Sequence, residues 1–421
     1  MWRALYTLVL RAAAPFILLR LWWRGWREPG YHRRIGERFG LYREGPRPAS
    51  ARRPVLWVHA VSVGEARASA ALVRALAAAH PGHEMLVTCM TAAGRGTLHE
   101  LHGDSVRIAW LPYDYPGAVR RFLAHYRPRL AVLMETEIWP NLVAACGEFG
   151  VPVLLANARM SEKSARGYAR WSGLAQPALA ALSMVCAQSE EDAARLRALG
   201  ARRVVVSGNL KFDSAPDEVK RAEGVAWRER LGRPVLLLAS TREGEEKLLL
   251  QAMPAWDGKL LVLVVPRHPR RFDEVSVFSQ SRRSRGRLPA SADRIHLGDT
   301  MGEMDFYYAA ADVAVIGGSF MPLGGQNLIE ALSAGVPAVL GPSMFNFSEA
   351  TRLALQAGAA VQAADAAAAI RLALEMLSEP ARRMRMGEAG KRLCHAHRGA
   401  TQRHVGVCRE LLRDAQSASL A

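Results

Sequence analysis

Residues 311–342 read ADVAVIGGSFMPLGGQNLIEALSAGVPAVLGP, and the order of residue types in this stretch decides the fold. Ala314 to Ile316 form an apolar, β-rich run of the kind a buried parallel strand needs. Gly317, Gly318, Gly324 and Gly325 then let the backbone turn sharply and come close to a ligand. Asn327 suits the N-cap of a helix from Leu328 to Ala334, which Gly335 and Pro337 end, and Val336 to Leu340 opens the next strand. A helix N-terminus behind a glycine loop offers free N–H groups and a positive dipole end to a phosphate. Glu330, in the first turn, cannot bind a phosphate, but it can accept two hydroxyls of a ribose. The stretch therefore predicts a nucleotide site with two roles; an ordinary βαβ turn with a capped helix fits the same spacing.

Outward from this stretch the same grammar repeats. Strands are predicted at 54–60, 85–89, 106–111, 130–134, 153–156, 184–187 and 204–207, each followed by a loop and, in most cases, a helical segment. A second series starts at Val235 to Ala239 and continues at 260–265 and 294–297. Strands alternating with helices give an α/β fold with parallel, doubly wound sheets. Polar residues 208–233 read as the link between two halves. Three domains are expected: an anchor at 1–27, a first α/β domain at 28–213, and a second at 214–421 that includes the terminal helices. In open α/β sheets ligands sit beyond the carboxyl ends of strands, so loops 61–65, 135–141, 240–246, 266–268 and 317–327 are the places to look.

The anchor segment, MWRALYTLVLRAAAPFILLRLWWRGWR, approaches a spanning length only if Arg11 is tolerated inside it. Trp22, Trp23 and Trp26 alternate with Arg20, Arg24 and Arg27, an interface-anchor composition. No small-residue cleavage site follows, so the segment reads as an uncleaved anchor that either spans the bilayer or lies flat. The basic flank, continued by Arg33, Arg34 and Arg38, places the rest on the cytoplasmic side.

The formal charge of +17 fits an anionic membrane surface or an anionic substrate. No nucleic-acid motif accompanies it, which ranks nucleic acid last. The five cysteines, Cys89, Cys146, Cys186, Cys394 and Cys408, are spread out with no C-x-x-C pair, as in a reducing compartment without structural zinc.

Among candidate catalytic groups, Glu65 ends its loop just before a helix, where it could take a proton from a hydroxyl or simply serve the helix dipole. Glu135 and Glu137 alternate along an extended segment, so only one of them is expected to join Glu65. Pro266–Arg267–His268 follows a buried strand, and a guanidinium there matches a phosphate or carboxylate bidentately. No D-x-D pair follows a strand, so no phosphate-bridging metal is expected; helix dipoles and arginines would meet the leaving-group charge instead.

The segments HAVSVGE (59–65), LPYDYP (111–116), METEIWPNL (134–142), NARMSEKSARGY (157–168), GNLKFD (208–213), VPRHPRRF (265–272), GDTMGE (298–303), GGQNLIEA (324–331) and FNFSEA (345–350) occur in this order. Together they resemble the bacterial 3-deoxy-D-manno-octulosonic acid (Kdo) transferases of lipid A assembly. The resemblance implies a GT-B fold, two Rossmann-like domains facing a cleft, behind an N-terminal membrane anchor at the cytoplasmic face of the inner membrane. It implies inverting, metal-independent transfer of Kdo from CMP-Kdo to lipid IVA, with no cofactor. It also implies Glu65 as general base, Glu135 to Glu137 on the acceptor side, and CMP contacts at Pro266, Arg267, Met301, Gly302, Glu303, Asn327, Leu328, Ile329 and Glu330. Gln326 and Arg242 stand where the family pattern has histidine. Glutamine still donates a hydrogen bond but cannot become cationic, and Arg242 keeps a permanent charge that could meet the donor carboxylate. The alternatives are a GT-B transferase using a UDP-sugar and a membrane-docked module that holds anionic lipid without chemistry.

Overall fold

Runs of two to seven residues, most of them apolar and bounded by turn formers, become two seven-stranded sheets, every pairing in them parallel. The computed structural model describes residues 1–42, 53–213, 216–254 and 259–420. The strands of the first sheet are β1 (Val55–His59), β2 (Glu84–Cys89), β3 (Arg107–Trp110), β4 (Pro128–Met134), β5 (Val153–Ala158), β6 (Met184–Ala187) and β7 (Val204–Val206), in the order β3-β2-β1-β4-β5-β6-β7. The second sheet holds β8 (Val235–Thr241), β9 (Leu261–Pro266), β10 (Ser281–Arg282), β11 (Ile295–Leu297), β12 (Val313–Ile316), β13 (Ala338–Leu340) and β14 (Ala360–Gln362), ordered β10-β11-β9-β8-β12-β13-β14. In each sheet the order reverses beside its first strand, between β1 and β4 and between β8 and β12. These are the switch points where doubly wound sheets open a crevice.

Both faces of the central strands are covered, so those strands are largely apolar rather than alternating. In the first sheet Trp57, Leu86, Ala131 and Leu155 face one core, while Leu56, Val58, Val87 and Val132 face the other. Leu236, Leu238, Val262, Val264, Val313 and Val315 form a core of the second.

The chain divides into Met1–Ser214 with Arg398–Ala421, and Ala215–His397. This division falls one residue from the boundary expected at 213, while the last helix, Ala400–Leu420, groups with the first unit and not, as expected, with the second. The physical reason is side-chain chemistry. Val405, Cys408 and Leu411 enter the core that Leu56, Val58 and Val87 face, and buried His404 accepts the Asn157 N–H through Nε2 at 3.0 Å. Asp213 accepts the N–H groups of Gly399, at 2.7 Å, and Thr401 at the start of this helix. The presumed link at 208–233 is mostly the helix Glu218–Leu231, capped by Asp217 and packed within the second unit. The strands β10 and β14 had no counterpart in the sequence reading.

Residues 1–27 form two helices, Trp2–Ala12 and Ala14–Arg27, rather than one. Among the described residues no single helix is long and apolar enough to cross a membrane; this pair passes together but is bent by 51°. The first helix is tied into the first unit. The Thr7 hydroxyl accepts from Asn141 Nδ2 at 3.0 Å, Tyr115 donates to the Leu10 carbonyl at 3.0 Å, and Tyr6 hydrogen-bonds Asp114. Leu8, Val9, Phe16, Leu19, Trp22 and Trp26 stay exposed.

Candidate active site

In the first unit the site is built on the two strands that flank the switch point. The helix after β1 starts at Val63, earlier than the sequence suggested, so Glu65 lies in its first turn. Its carboxylate turns back on the loop: Oε2 accepts the Val61 N–H at 2.8 Å and Oε1 accepts the Ser62 hydroxyl at 3.2 Å. Each oxygen retains a second lone-pair direction for a substrate proton. The loop after β4 is a turn and not an extended segment, because Glu135 adopts φ 54°. The expected alternation of Glu135 and Glu137 is thereby overturned, and both carboxylates act on Glu65. Burial first, then the Glu135 charge, and more weakly that of Glu137, push the Glu65 carboxyl up to about 8, against the hydrogen bonds from Val61 and Ser62. Burial also raises Glu137, which accepts from Trp139 Nε1 at 3.0 Å. Lys211, from the GNLKFD segment, pairs with Glu135 at 3.4 Å.

In the second unit the glycine loop after β12 packs against the end of β8. A Cβ on Gly317 would lie 2.6 Å from Thr241 Cα and 2.7 Å from the Ser240 carbonyl, so only glycine fits. The helix behind the loop is Ile329–Ala334, too short for a large dipole, so individual N–H groups carry its pull on an anion. Asn327 Oδ1 accepts the Ile329 N–H at 3.1 Å, and its Nδ2 donates to Glu330 at 3.0 Å, which orients that carboxylate. Leu328 and Ile329 are buried, leaving only their main chains for a ligand. Arg267, just past Pro266 at the end of β9, donates its N–H to the Thr241 carbonyl at 3.0 Å and Nε–H to Gln326 Oε1 at 3.1 Å. His268 is held below its ordinary value by burial and by the charges of Arg242, Arg267, Arg270 and Arg271. Arg271 is spoken for: it pairs bidentately with buried Glu246 at 2.7 and 2.9 Å. Arg242, Arg267 and Arg270 each add to the positive field at His268.

The Met301–Gly302–Glu303 turn runs directly into the short helix Met304–Ala309 of the same unit. Tyr307 meets Thr300, itself bonded to Glu303, while Tyr308 donates to the Asn327 carbonyl at 3.4 Å. Glu303 is gripped by Arg283 at 3.2 and 3.3 Å; the Thr300 hydroxyl and Arg283 outweigh burial and hold its carboxyl below the usual range. Gly302, at φ 71°, offers its carbonyl to Lys220 at 2.6 Å, and Met301 is exposed.

Sequence reasoning missed Glu245. Fully buried, it accepts the N–H groups of Arg242, Gly318 and Phe320 at 2.8, 2.6 and 2.9 Å, and so fixes the glycine loop from below. The adjacent glutamates of STREGEE were the only signal, and a first-turn glutamate is ordinarily a surface residue.

The fold matches solved structures closely enough to define its class. S. aureus MnaA, solved with UDP, aligns with a TM-score of 0.60 and 15% identity over 86% of this chain and 97% of that one. A glycosyltransferase from Rickettsia africae aligns with a TM-score of 0.58 and 13% identity, covering 86% and 99%. Two parallel α/β units of this kind, each with a switch point beside its first strand, define a GT-B fold. Residues 33–214 match the family model described as 3-deoxy-D-manno-octulosonic-acid transferase. A 3-deoxy-D-manno-octulosonic acid transferase of Bordetella pertussis is 48% identical over 98% of this chain and 100% of its own length. That of Haemophilus influenzae is 33% identical over 98% and 99%. The chain belongs to the 3-deoxy-D-manno-octulosonic acid transferases.

Proposed function

We propose that the chain moves Kdo from CMP-Kdo to the 6'-hydroxyl of a glucosamine of lipid IVA, in one inverting displacement that needs no metal. The observation that carries this reading is the environment of Glu65. A carboxyl raised to about 8 by burial and two like charges is a stronger base than a solvated one, and two hydrogen bonds hold it still. Glu65 takes the hydroxyl proton as that oxygen bonds to the anomeric carbon. The bond from this carbon to the phosphate oxygen of CMP breaks, and its electron pair leaves on CMP. Arg267 and the main-chain N–H groups around Leu328 meet the leaving charge, with the cationic surroundings of His268 in support. Glu330, steered by Asn327, accepts the ribose hydroxyls.

The exposed apolar and tryptophan side chains of the first two helices, mixed with Arg11, Arg20 and Arg24, support seating on the cytoplasmic face of an anionic inner membrane. The acceptor is a lipid, so the enzyme would work where the acceptor resides. Mass spectrometry of lipid IVA after incubation with CMP-Kdo tests the reading. The expected result is a mass gain of whole Kdo units that CMP suppresses and UDP does not. Suppression by UDP alone would favour a different nucleotide sugar, and no mass gain would favour a lipid-holding module.

A further inference from the structure

We propose that Gln326 is a positioning residue for the donor, holding the Arg267 guanidinium so that its two Nη groups face the leaving phosphate; this rests on the CMP-Kdo reading above. An arginine at a strand end has a fixed main chain and a long, freely rotating stem, so its head must be pinned to act as a preorganised charge. The Arg267 main chain is fixed by the bond from its N–H to the Thr241 carbonyl. The head is met by Gln326 Oε1, which accepts from Nε at 3.1 Å, a contact that leaves the Nη fork out of it. A guanidinium only donates, so the amide must present its oxygen to Arg267.

Gln326 is itself held. Its side chain lies across Gly318, where a Cβ would come within 3.0 Å of Gln326 Nε2 and 3.2 Å of its Cγ. Gly318 sits at φ 67°, accepts the Gly325 N–H at 2.8 Å and donates its own N–H to buried Glu245 at 2.6 Å. A continuous relay therefore runs from Glu245 through Gly318 and Gln326 to Arg267. The titratable and charged groups around it are Arg242, His268, Arg270, Arg271, Glu330 and Tyr308. An imidazole at 326 could accept from Arg267 only while neutral; once protonated it would donate and repel.

Steady-state kinetics of the full chain test this role. Gln326→Leu should raise the KM for CMP-Kdo roughly 10-fold, the scale of one lost hydrogen bond to a charged group, with the acceptor KM unmoved. In an Arg267→Lys background, which lacks Nε, the same change should add nothing. Gln326→His supplies the variant that keeps a polar side chain: its donor KM relative to wild type should rise about 10-fold from roughly pH 8 to pH 5.5 as the imidazole charges, the wild-type control removing the titration of His268. An unchanged donor KM in Gln326→Leu, an equal loss in the Arg267→Lys background, or a rise in the acceptor KM instead would overturn the role. If Arg267→Ala itself leaves CMP binding intact, the donor site is wrong and this role falls with it; if Arg267→Ala loses CMP while Gln326→Leu is silent, only the positioning role fails.

Discussion

The carboxyl ends of the two sheets share an architecture and differ in charge. Beyond β1 and β4 the first unit gathers Glu65, Glu135 and Glu137, with Lys211 as a counter-charge on Glu135. Beyond β8 and β9 the second gathers Arg242, Arg267 and Arg270 around His268, and beyond β12 it sets Glu330 on an asparagine tether. Topology alone supplies a switch-point crevice in each. What each could do with it depends on the residues placed there: crowded carboxylates suit a base, while guanidinium groups and loop N–H groups suit a phosphate, which is the division the proposed mechanism uses.

The sharpest way to break this division is Glu65→Gln. It should lower kcat for transfer by roughly 10²- to 10⁴-fold while CMP affinity, read by calorimetry, stays at the wild-type level. A matching loss of CMP affinity would mean the two ends do not divide the work. The reciprocal change, Arg267→Ala, should weaken CMP binding about 10- to 100-fold and leave the rising limb of the pH–rate profile where it was.

That limb gives a finer test. Only the carboxylate form of Glu65 accepts a proton, and its carboxyl is raised to about 8, so kcat should climb with pH and level off above that value. Glu135→Gln removes a like charge and releases Lys211, both of which favour the carboxylate, so the limb should move to lower pH. A limb that stays put would assign it to another group. The smallest expected effect is none at all. Dialysis against EDTA should leave the rate unchanged, because the proposed mechanism meets the leaving charge with Arg267 and the loop N–H groups; a rate restored only by added divalent metal would show that these do not suffice.

Much of this was legible before the structure. Long apolar runs between glycine- and proline-rich breaks placed the major strands within a few residues, since a strand buried on both faces leaves little choice of residue. β10, two residues of serine and arginine at a sheet edge, carries no such pattern, and β14 sits in the alanine-rich run AGAAVQAADAAAA, where a single valine does not mark a strand. The membership of Ala400–Leu420 was hidden because an amphipathic helix shows that it has a partner, not which one. At the site, Glu65, Arg267 and Glu330 stood out by position after strands. The joint action of Glu135 and Glu137 did not, because it turns on a left-handed φ at a non-glycine residue, which nothing in ETEIWPN announces.

The docking of the first helix has a practical side. Two of the family-like segments, LPYDYP and METEIWPNL, supply Asp114, Tyr115 and Asn141, the residues that grip Tyr6, Leu10 and Thr7. Asn141 follows closely on the loop that bears Glu135 and Glu137. Clipping off the opening residues to obtain a detergent-free enzyme would cost Asp114 its bond to Tyr6 and Asn141 its bond to Thr7, leaving the mutual bonds of Asp114 and Asn141 to hold the start of the following helix alone. Keeping the chain through Ala12 and replacing outward-facing Phe16, Leu19 and Trp22 with polar side chains is the route to solubility that leaves the chemistry supported.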